Sequence, residues 1–397
     1  MGGYFCPARF VFYCTLCQVE GDIMQLESLK KQLNEVETEK PHSKLAQLMD
    51  EPGTGDEELE EMLRHMKTHI RIVGCGGAGN NTANRCKDRN LDKNVKIIAV
   101  NTDAQHLLRV GADKKVLIGR KLTRGLGAGA NPDKGRAAAL ENEDELRALV
   151  EGQDMVFITC GLGGGTGSGS APIIAEYARE QGALTLAIVS YPFSSEGKQR
   201  MENADWGLSR LREVTDTVIV VPNDKLLETV PRLPLSQAFM VADEILMRSI
   251  YGITDLLNET ELVNVDFADL KTIMTGGGVA MIGIGEASGE NKAFDAVNEA
   301  LNSPLLEVKI DHAMGALVNV VGGPDMTVND TQKVIHEVQK RIDPNANIIW
   351  GSGIREDLEN TVRVMIVVTG VESKQIFGPG MIETLRTEAS QELIQWV

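Results

Sequence analysis

The segment that most limits what this chain can become is GLGGGTGSGSAP, residues 161–172. It lies between the apolar run DMVFITC (154–160) and the helical pattern IIAEYAREQ. Six of the nine residues from Gly161 to Gly169 are glycine, and Thr166 and Ser168 are the only hydroxyls among them. Backbone without Cβ atoms can approach a phosphate closely and direct several N–H groups at it. The helix that follows adds the positive end of its dipole. A structural turn rarely needs this many glycines, so Gly164, Gly165, Thr166, Gly167, Ser168 and Gly169 are expected to cradle a phosphate. No Gly-Lys-Ser/Thr triplet follows, which excludes a Walker loop. A nucleotide here would be held by amides and hydroxyls rather than by a lysine.

A second glycine cluster follows the first apolar strand pattern, HIRIVG (69–74). Gly74-Cys75-Gly76-Gly77-Ala78-Gly79-Asn80-Asn81 contains G-x-G-x-x-G, and Asp103 follows about two dozen residues later. That pattern alone is a dinucleotide fingerprint, but a tight turn explains it equally well.

The apolar runs VKIIAVNT, LTLAIVS and TVIVVP complete a series of strands separated by helical patterns. Near-continuous apolar strands alternating with helices predict a parallel sheet covered on both faces. A long amphipathic helix is expected over Leu235 to Leu257. Beyond it lie the strand candidates VAMIGIGEA, ALVNVVGG, NIIWGSGI and RVMIVVTG, with helices near 291–302 and 328–342. The fold class is α/β, with a parallel-sheet nucleotide domain joined by the long helix to a smaller α+β domain. The expected divisions are 1–67, 68–234, 235–258, 259–372 and 373–397.

The net charge of −17 argues against a nucleic-acid binder, which needs a basic surface to displace counterions. No run of 18 apolar residues occurs, so direct membrane insertion is not expected. Cys14-x-x-Cys17 has half the spacing of a zinc site with no second pair after it, and no metal site is expected from side chains. Five of the 17 aromatic residues fall within the first 13 positions. That leader lacks a signal-peptide pattern. Residues 1–23 are expected to be disordered or not natively translated, with Met24 as a start, and the protein to be cytoplasmic. Residues 24–67 are acidic, with short helices suggested by Leu26, Leu29 and Leu33 and again near Asp56 to Met66.

The GGGTGSG segment resembles the signature of the tubulin superfamily. Together with NTDAQ (101–105), LTRGLGAGANP (122–132), PFSSEGKQR (192–200), DTVIVVPNDKLL (216–227), QAFMVADEIL (237–246) and NVDFADLKTIM (264–274), it is similar to FtsZ, the prokaryotic tubulin-like cell-division GTPase family. The resemblance covers about residues 68–372. The GCGGAGNNT form and the acidic extension look most like its archaeal branch. It implies that GTP or GDP is bound by Gly76 to Asn81 and Gly164 to Gly169, with Mg²⁺ held through the phosphates. Glu196 would accept from ribose hydroxyls, Arg200 would lie near phosphates or base, and Asn223 would stand at the carboxyl edge of the sheet.

Phe239 and Asp243 are four residues apart and share a helix face. By spacing alone they read as a core phenylalanine and a surface aspartate. The resemblance makes them a base platform and an acceptor for guanine N1–H and N2–H₂. It also assigns Asp266 and Asp269 to catalysis on the nucleotide of the next subunit, and so implies a head-to-tail homopolymer. Division-machinery or membrane-adaptor partners are implied as well; the short ending with Leu393, Ile394, Trp396 and Val397 is a candidate partner peptide or a disordered end. Two other readings stand beside this one. A catalytically weak scaffold is disfavoured by retention of both aspartates. A Rossmann oxidoreductase is disfavoured by the second glycine segment and by the lack of a catalytic His or Tyr constellation.

Overall fold

The computed structural model describes residues 68–88, 91, 94–229, 234–257, 262–306, 313–344 and 346–371. The leader, its Cys14/Cys17 pair, the two acidic helices and the carboxyl-terminal peptide expected above lie outside the described residues.

In chain order the elements are β1 (Ile70–Cys75), α1 (Gly76–Asp88), β2 (Val95–Asn101), α2 (Ala104–Arg109), β3 (Lys114–Leu117), α3 (Arg120–Thr123), α4 (Pro132–Glu141) and α5 (Glu143–Val150). They continue as β4 (Met155–Gly161), α6 (Gly165–Glu180), β5 (Leu184–Tyr191), α7 (Lys198–Val214), β6 (Thr217–Pro222), α8 (Asn223–Thr229) and α9 (Leu235–Asp255). The last group is α10 (Phe267–Met274), β7 (Gly278–Ser288), α11 (Lys292–Leu301), β8 (Gly315–Gly322), α12 (Val328–Gln339), β9 (Asn347–Ile354) and β10 (Thr361–Thr369).

The ten strands among the described residues form one sheet in the order β3-β2-β1-β4-β5-β6-β7-β10-β8-β9. It is parallel from β3 to β7. β10 then runs antiparallel to both β7 and β8. The expected parallel core is present, and its apolar strands have the predicted cause. Along β1, Ile72 packs into one hydrophobic cluster and Val73 into another; along β4, Phe157 and Ile158 divide the same way. Successive side chains point to opposite faces, so both faces must be covered. The sheet does not break at the long helix: β6 pairs with β7 through Thr217–Gly278 to Ile219–Ala280. One face, with Ile72, Ile97, Phe157, Ile219, Leu317 and Val367, packs with Ala242, Leu246, Met247, Ile250 and Ile253 of α9. Those α9 positions recur at helical spacing, which is why a single helix serves strands from both ends of the sheet.

Two details differ from the sequence reading. β3 was not anticipated. It is a four-residue edge strand whose Lys114 and Lys115 are exposed, so it carries no apolar run; charge at an edge also discourages pairing with other chains. The glycine-rich segment is also mostly helix, since α6 begins at Gly165 and contains Pro172. Packing explains part of its glycine content. A Cβ on Gly165 would lie 2.7 Å from the Asn131 nitrogen, and one on Gly169 would lie 2.2 Å from the Pro132 oxygen. α4 and α6 therefore meet backbone to backbone.

Candidate functional site

The chain leaves β1 to one side of the sheet, toward β2 and β3, and resumes on the other side at β4. This reversal opens a crevice at the carboxyl ends of β1 and β4, the usual ligand position in such sheets. Both strands turn directly into helices there. Gly76, at φ +72°, starts α1, and Gly163, at φ +88°, leads through Gly164 into α6. Because Cys75 and Cys160 are register partners, the two helix starts lie side by side; a Cβ on Gly76 would be 2.8 Å from the Gly167 nitrogen. Neither first turn carries an acidic residue, and Gly164 offers no side-chain cap. First-turn N–H groups have no partner within their own helix, so two positive ends converge on one place. Gly77 is exposed, with open space where a Cβ would stand.

The polar residues of the two clusters do different jobs. Thr166 Oγ1 is 2.7 Å from Thr102 Oγ1, which ties α6 to the NTDAQ segment. Ser168 is fully buried, and its Oγ accepts from the Gly163 nitrogen at 2.9 Å, so its hydroxyl shapes the turn from inside. Asn80 is buried and donates from Nδ2 to the Val100 oxygen, while its Oδ1 has no protein partner. Asn81 is exposed, with Oδ1 3.2 Å from His106 Nε2. Ala78 packs over Gly161.

Along the same crevice, Glu196 Oε1 accepts from the Phe193 nitrogen and Oε2 pairs with Arg200 Nε, both at 2.9 Å. The Arg200 stem covers Gly163. Phe239 is 39% exposed and meets buried Phe193 edge to face, with centroids 5.3 Å apart. Asn223 starts α8 at the carboxyl end of β6. It is buried, and its Oδ1 has no protein partner. Asp243, one turn after Phe239, is mostly buried, with Oδ2 3.8 Å from Arg85 Nε. Burial pushes its carboxyl up to about 6, against a smaller opposing pull from Arg85. Sequence reasoning missed Arg85. It also missed Asn203, whose Nδ2 donates to the oxygens of Ala130 and Gly163 and so joins two loops at the crevice.

Asp266 and Asp269 stand elsewhere. Asp266 caps α10 by accepting from the Ala268 nitrogen, and both aspartates are exposed. The Val265 nitrogen bonds to the Leu256 oxygen, which places this segment at the far end of α9. Twenty-one residues of helix span about 30 Å. At its other end α10 meets β6 at the amino-terminal edge of the sheet, where Thr217 Oγ1 donates to the Met274 oxygen. Exposed Leu262, Val263 and Trp350 lie near the pair and line one groove with Val328. Among the described residues, no group of three or more His, Cys, Asp or Glu could hold a metal ion. No described helix is long and apolar enough to cross a membrane.

An open parallel sheet with two glycine-started helices converging at its switch point defines a nucleotide-binding α/β protein. Residues 69–231 match the Tubulin/FtsZ family, GTPase domain, and residues 278–372 match the FtsZ family, C-terminal domain. The chain is 56% identical over 323 residues to cell division protein FtsZ 1 of Archaeoglobus fulgidus, covering 81% of this chain and 88% of that one. It is 54% identical over 342 residues to cell division protein FtsZ of Haloferax mediterranei, covering 86% and 90%. A solved FtsZ dimer from M. jannaschii superposes with a TM-score of 0.76 at 55% identity, covering 80% of this chain and 92% of that one. The chain belongs to the tubulin/FtsZ family, in its FtsZ branch. It is a GTPase of the cell-division type that binds GTP and GDP.

Proposed function

We propose that this protein is a filament subunit that assembles head to tail and completes each hydrolytic site between two copies. The observation that carries this reading is the separation of the two halves of the site. The converging helix starts and the Phe239–Asp243 face lie at one end of α9, and Asp266 and Asp269 lie beside the other. The helix from Phe239 to Leu256 spans about 25 Å, which side-chain motion cannot close, so the aspartates act on a neighbour's nucleotide. Such a contact does not close on itself and generates filaments. The groove bounded by Leu262, Val263, Val328 and Trp350 supplies apolar surface next to the aspartates.

In this reading residues 68–234 bind the nucleotide, 235–258 form the spine and 259–372 supply the catalytic face. N–H groups of Gly76 to Asn81 and Gly164 to Gly169 hold the phosphates, with Thr166 and Ser168 fixing the loop. The partnerless oxygens of Asn80 and Asn223 fit a ligand that donates hydrogen bonds, as ribose and guanine do. Phe239 stacks on the base, Asp243 accepts from its N1–H and N2–H₂, and Glu196 accepts from the ribose beside Arg200. Mg²⁺ bound through phosphate oxygens would neutralise developing charge. Across the junction, exposed Asp269 orients and polarises the attacking water, with Asp266 holding the helix start that carries it. Positioning and electrostatics supply most of the acceleration. Loss of the γ-phosphate then weakens the contact. The setting is a cytoplasmic division ring, with division or membrane-adaptor proteins as further partners.

The test is GTP turnover against protein concentration. Specific activity should be near zero below a threshold and rise above it. A rate per molecule that is independent of concentration would contradict the shared site.

A further inference from the structure

We infer that Arg85, which no motif in the sequence singles out, is a positioning residue for base selection that holds the Asp243 carboxylate charged and correctly placed. The inference rests on the reading that Asp243 recognises guanine. Arg85 lies on α1, the helix whose start faces the phosphates, and its Nε is 3.8 Å from Asp243 Oδ2 on α9. One rigid element therefore links the phosphate and base ends of the crevice. The neighbouring charges on the elements packed around Asp243 have partners of their own. Glu244 on α9 pairs with Arg248. Lys87 on α1 pairs with Asp113. On α8, Asp224 accepts from the Ser194 nitrogen, and buried Lys225 has interactions of its own.

The chemistry explains why such a partner is needed. A carboxylate can accept from both N1–H and N2–H₂ of guanine, whereas a protonated carboxyl turns one oxygen into a donor facing another donor. Burial favours the protonated form of Asp243, and the positive charge of Arg85 opposes it. Arg85 borders a groove of about 860 Å³ together with Met240, Glu244 and Arg248, so its side chain can be shortened without opening a void in the core.

The experiment compares GTP with ITP, which lacks the 2-amino group but shares the triphosphate. The ratio of their affinities cancels any titration of the phosphates. Calorimetric binding to the full chain is measured from pH 5.5 to 8 for the native protein and for Arg85→Met, Arg85→Gln, Arg85→Lys and Asp243→Asn. The native preference for GTP, about tenfold or more for a charged hydrogen bond, should hold near pH 8 and shrink at acid pH, where the carboxyl of the bound complex takes up a proton. In Arg85→Met and Arg85→Gln the loss of preference should begin at higher pH than in the native protein, and Arg85→Lys should restore the native profile. Asp243→Asn should show a small ratio at every pH. A native-like profile in both neutral variants would overturn the inference while a flat Asp243→Asn profile leaves the base-recognition reading intact. Equal, pH-independent loss of GTP and ITP in those variants would also overturn it, since Arg85 would then be touching the nucleotide directly. A native ratio in Asp243→Asn would instead remove the base-recognition reading itself.

Discussion

Two glycines of the same site should respond in opposite ways to alanine. A Cβ on Gly169 would lie 2.2 Å from the Pro132 oxygen and 2.5 Å from the Arg136 nitrogen. Both are backbone atoms of the α4 region, so relief requires α4 and α6 to separate along their contact. Overpacking of this kind costs about 1–3 kcal/mol, and backbone on both sides puts Gly169→Ala at the upper end. Alanine's better helix propensity returns about 1 kcal/mol, leaving a net loss of about 2 kcal/mol. Gly77 has nothing within 4 Å of a built Cβ and a negative φ, so alanine there is tolerated and gains a few tenths of a kcal/mol. Its methyl would instead occupy the space a phosphate needs. Urea unfolding of nucleotide-free protein and calorimetric GTP binding separate the two effects. Gly169→Ala should lose stability, and Gly77→Ala should keep its stability but lose at least about tenfold in GTP affinity. Full GTP affinity in a stable Gly77→Ala protein would refute the claim that the α1 start meets the phosphates.

Asp243 should exact a stability cost in return for its role. Its folded-state carboxyl is raised to about 6 from an ordinary 3.8, so the folded protein holds the proton more tightly than the unfolded chain does. The associated stability is complete below pH 3.8 and is lost as pH rises through about 6, a difference of roughly 3 kcal/mol with the opposing pull of Arg85 already included. Asp243→Asn should therefore unfold later than the native protein at pH 7.5 without nucleotide, and an earlier transition would contradict the burial argument. Asp269→Ala should retain GTP binding and sedimentable assembly while turnover falls by about a hundredfold or more, in line with loss of a positioning group; loss of GTP binding would place Asp269 in the wrong half of the site.

What could be read from sequence followed how local the cause was. β1, β4, β5 and β6 were legible because burial on both faces makes them nearly continuous apolar runs. α9 was legible because its buried positions keep helical spacing over five turns. β3 was hidden by the lysines that suit it to an edge. The glycines of residues 161–169 were visible as a cluster, but the division of labour within it was not. Gly165 and Gly169 answer to α4, which precedes them by some 30 residues and whose approach no local pattern reveals. Ser168 looked like a ligand hydroxyl and turns inward because Gly163 needs an acceptor. The Arg85–Asp243 pair joins positions more than 150 residues apart, and an arginine late in a helix carries no signal of its own. The distance between Asp269 and the glycine edge likewise depends on the direction α9 takes across the sheet. The resemblance implies that those residues act in different subunits, and the proposed shared site rests on that distance.

Mixing two variants tests the shared site most directly. Asp269→Ala keeps the nucleotide face and lacks the catalytic carboxylate, whereas Gly77→Ala keeps the aspartates and binds GTP poorly. In a head-to-tail contact, the nucleotide face of the first meets the aspartate face of the second and forms a complete site. GTP turnover of the mixture should exceed the sum of the separate proteins and peak near equal amounts. A mixture no faster than that sum, with both variants shown to co-assemble, would contradict catalysis across the junction.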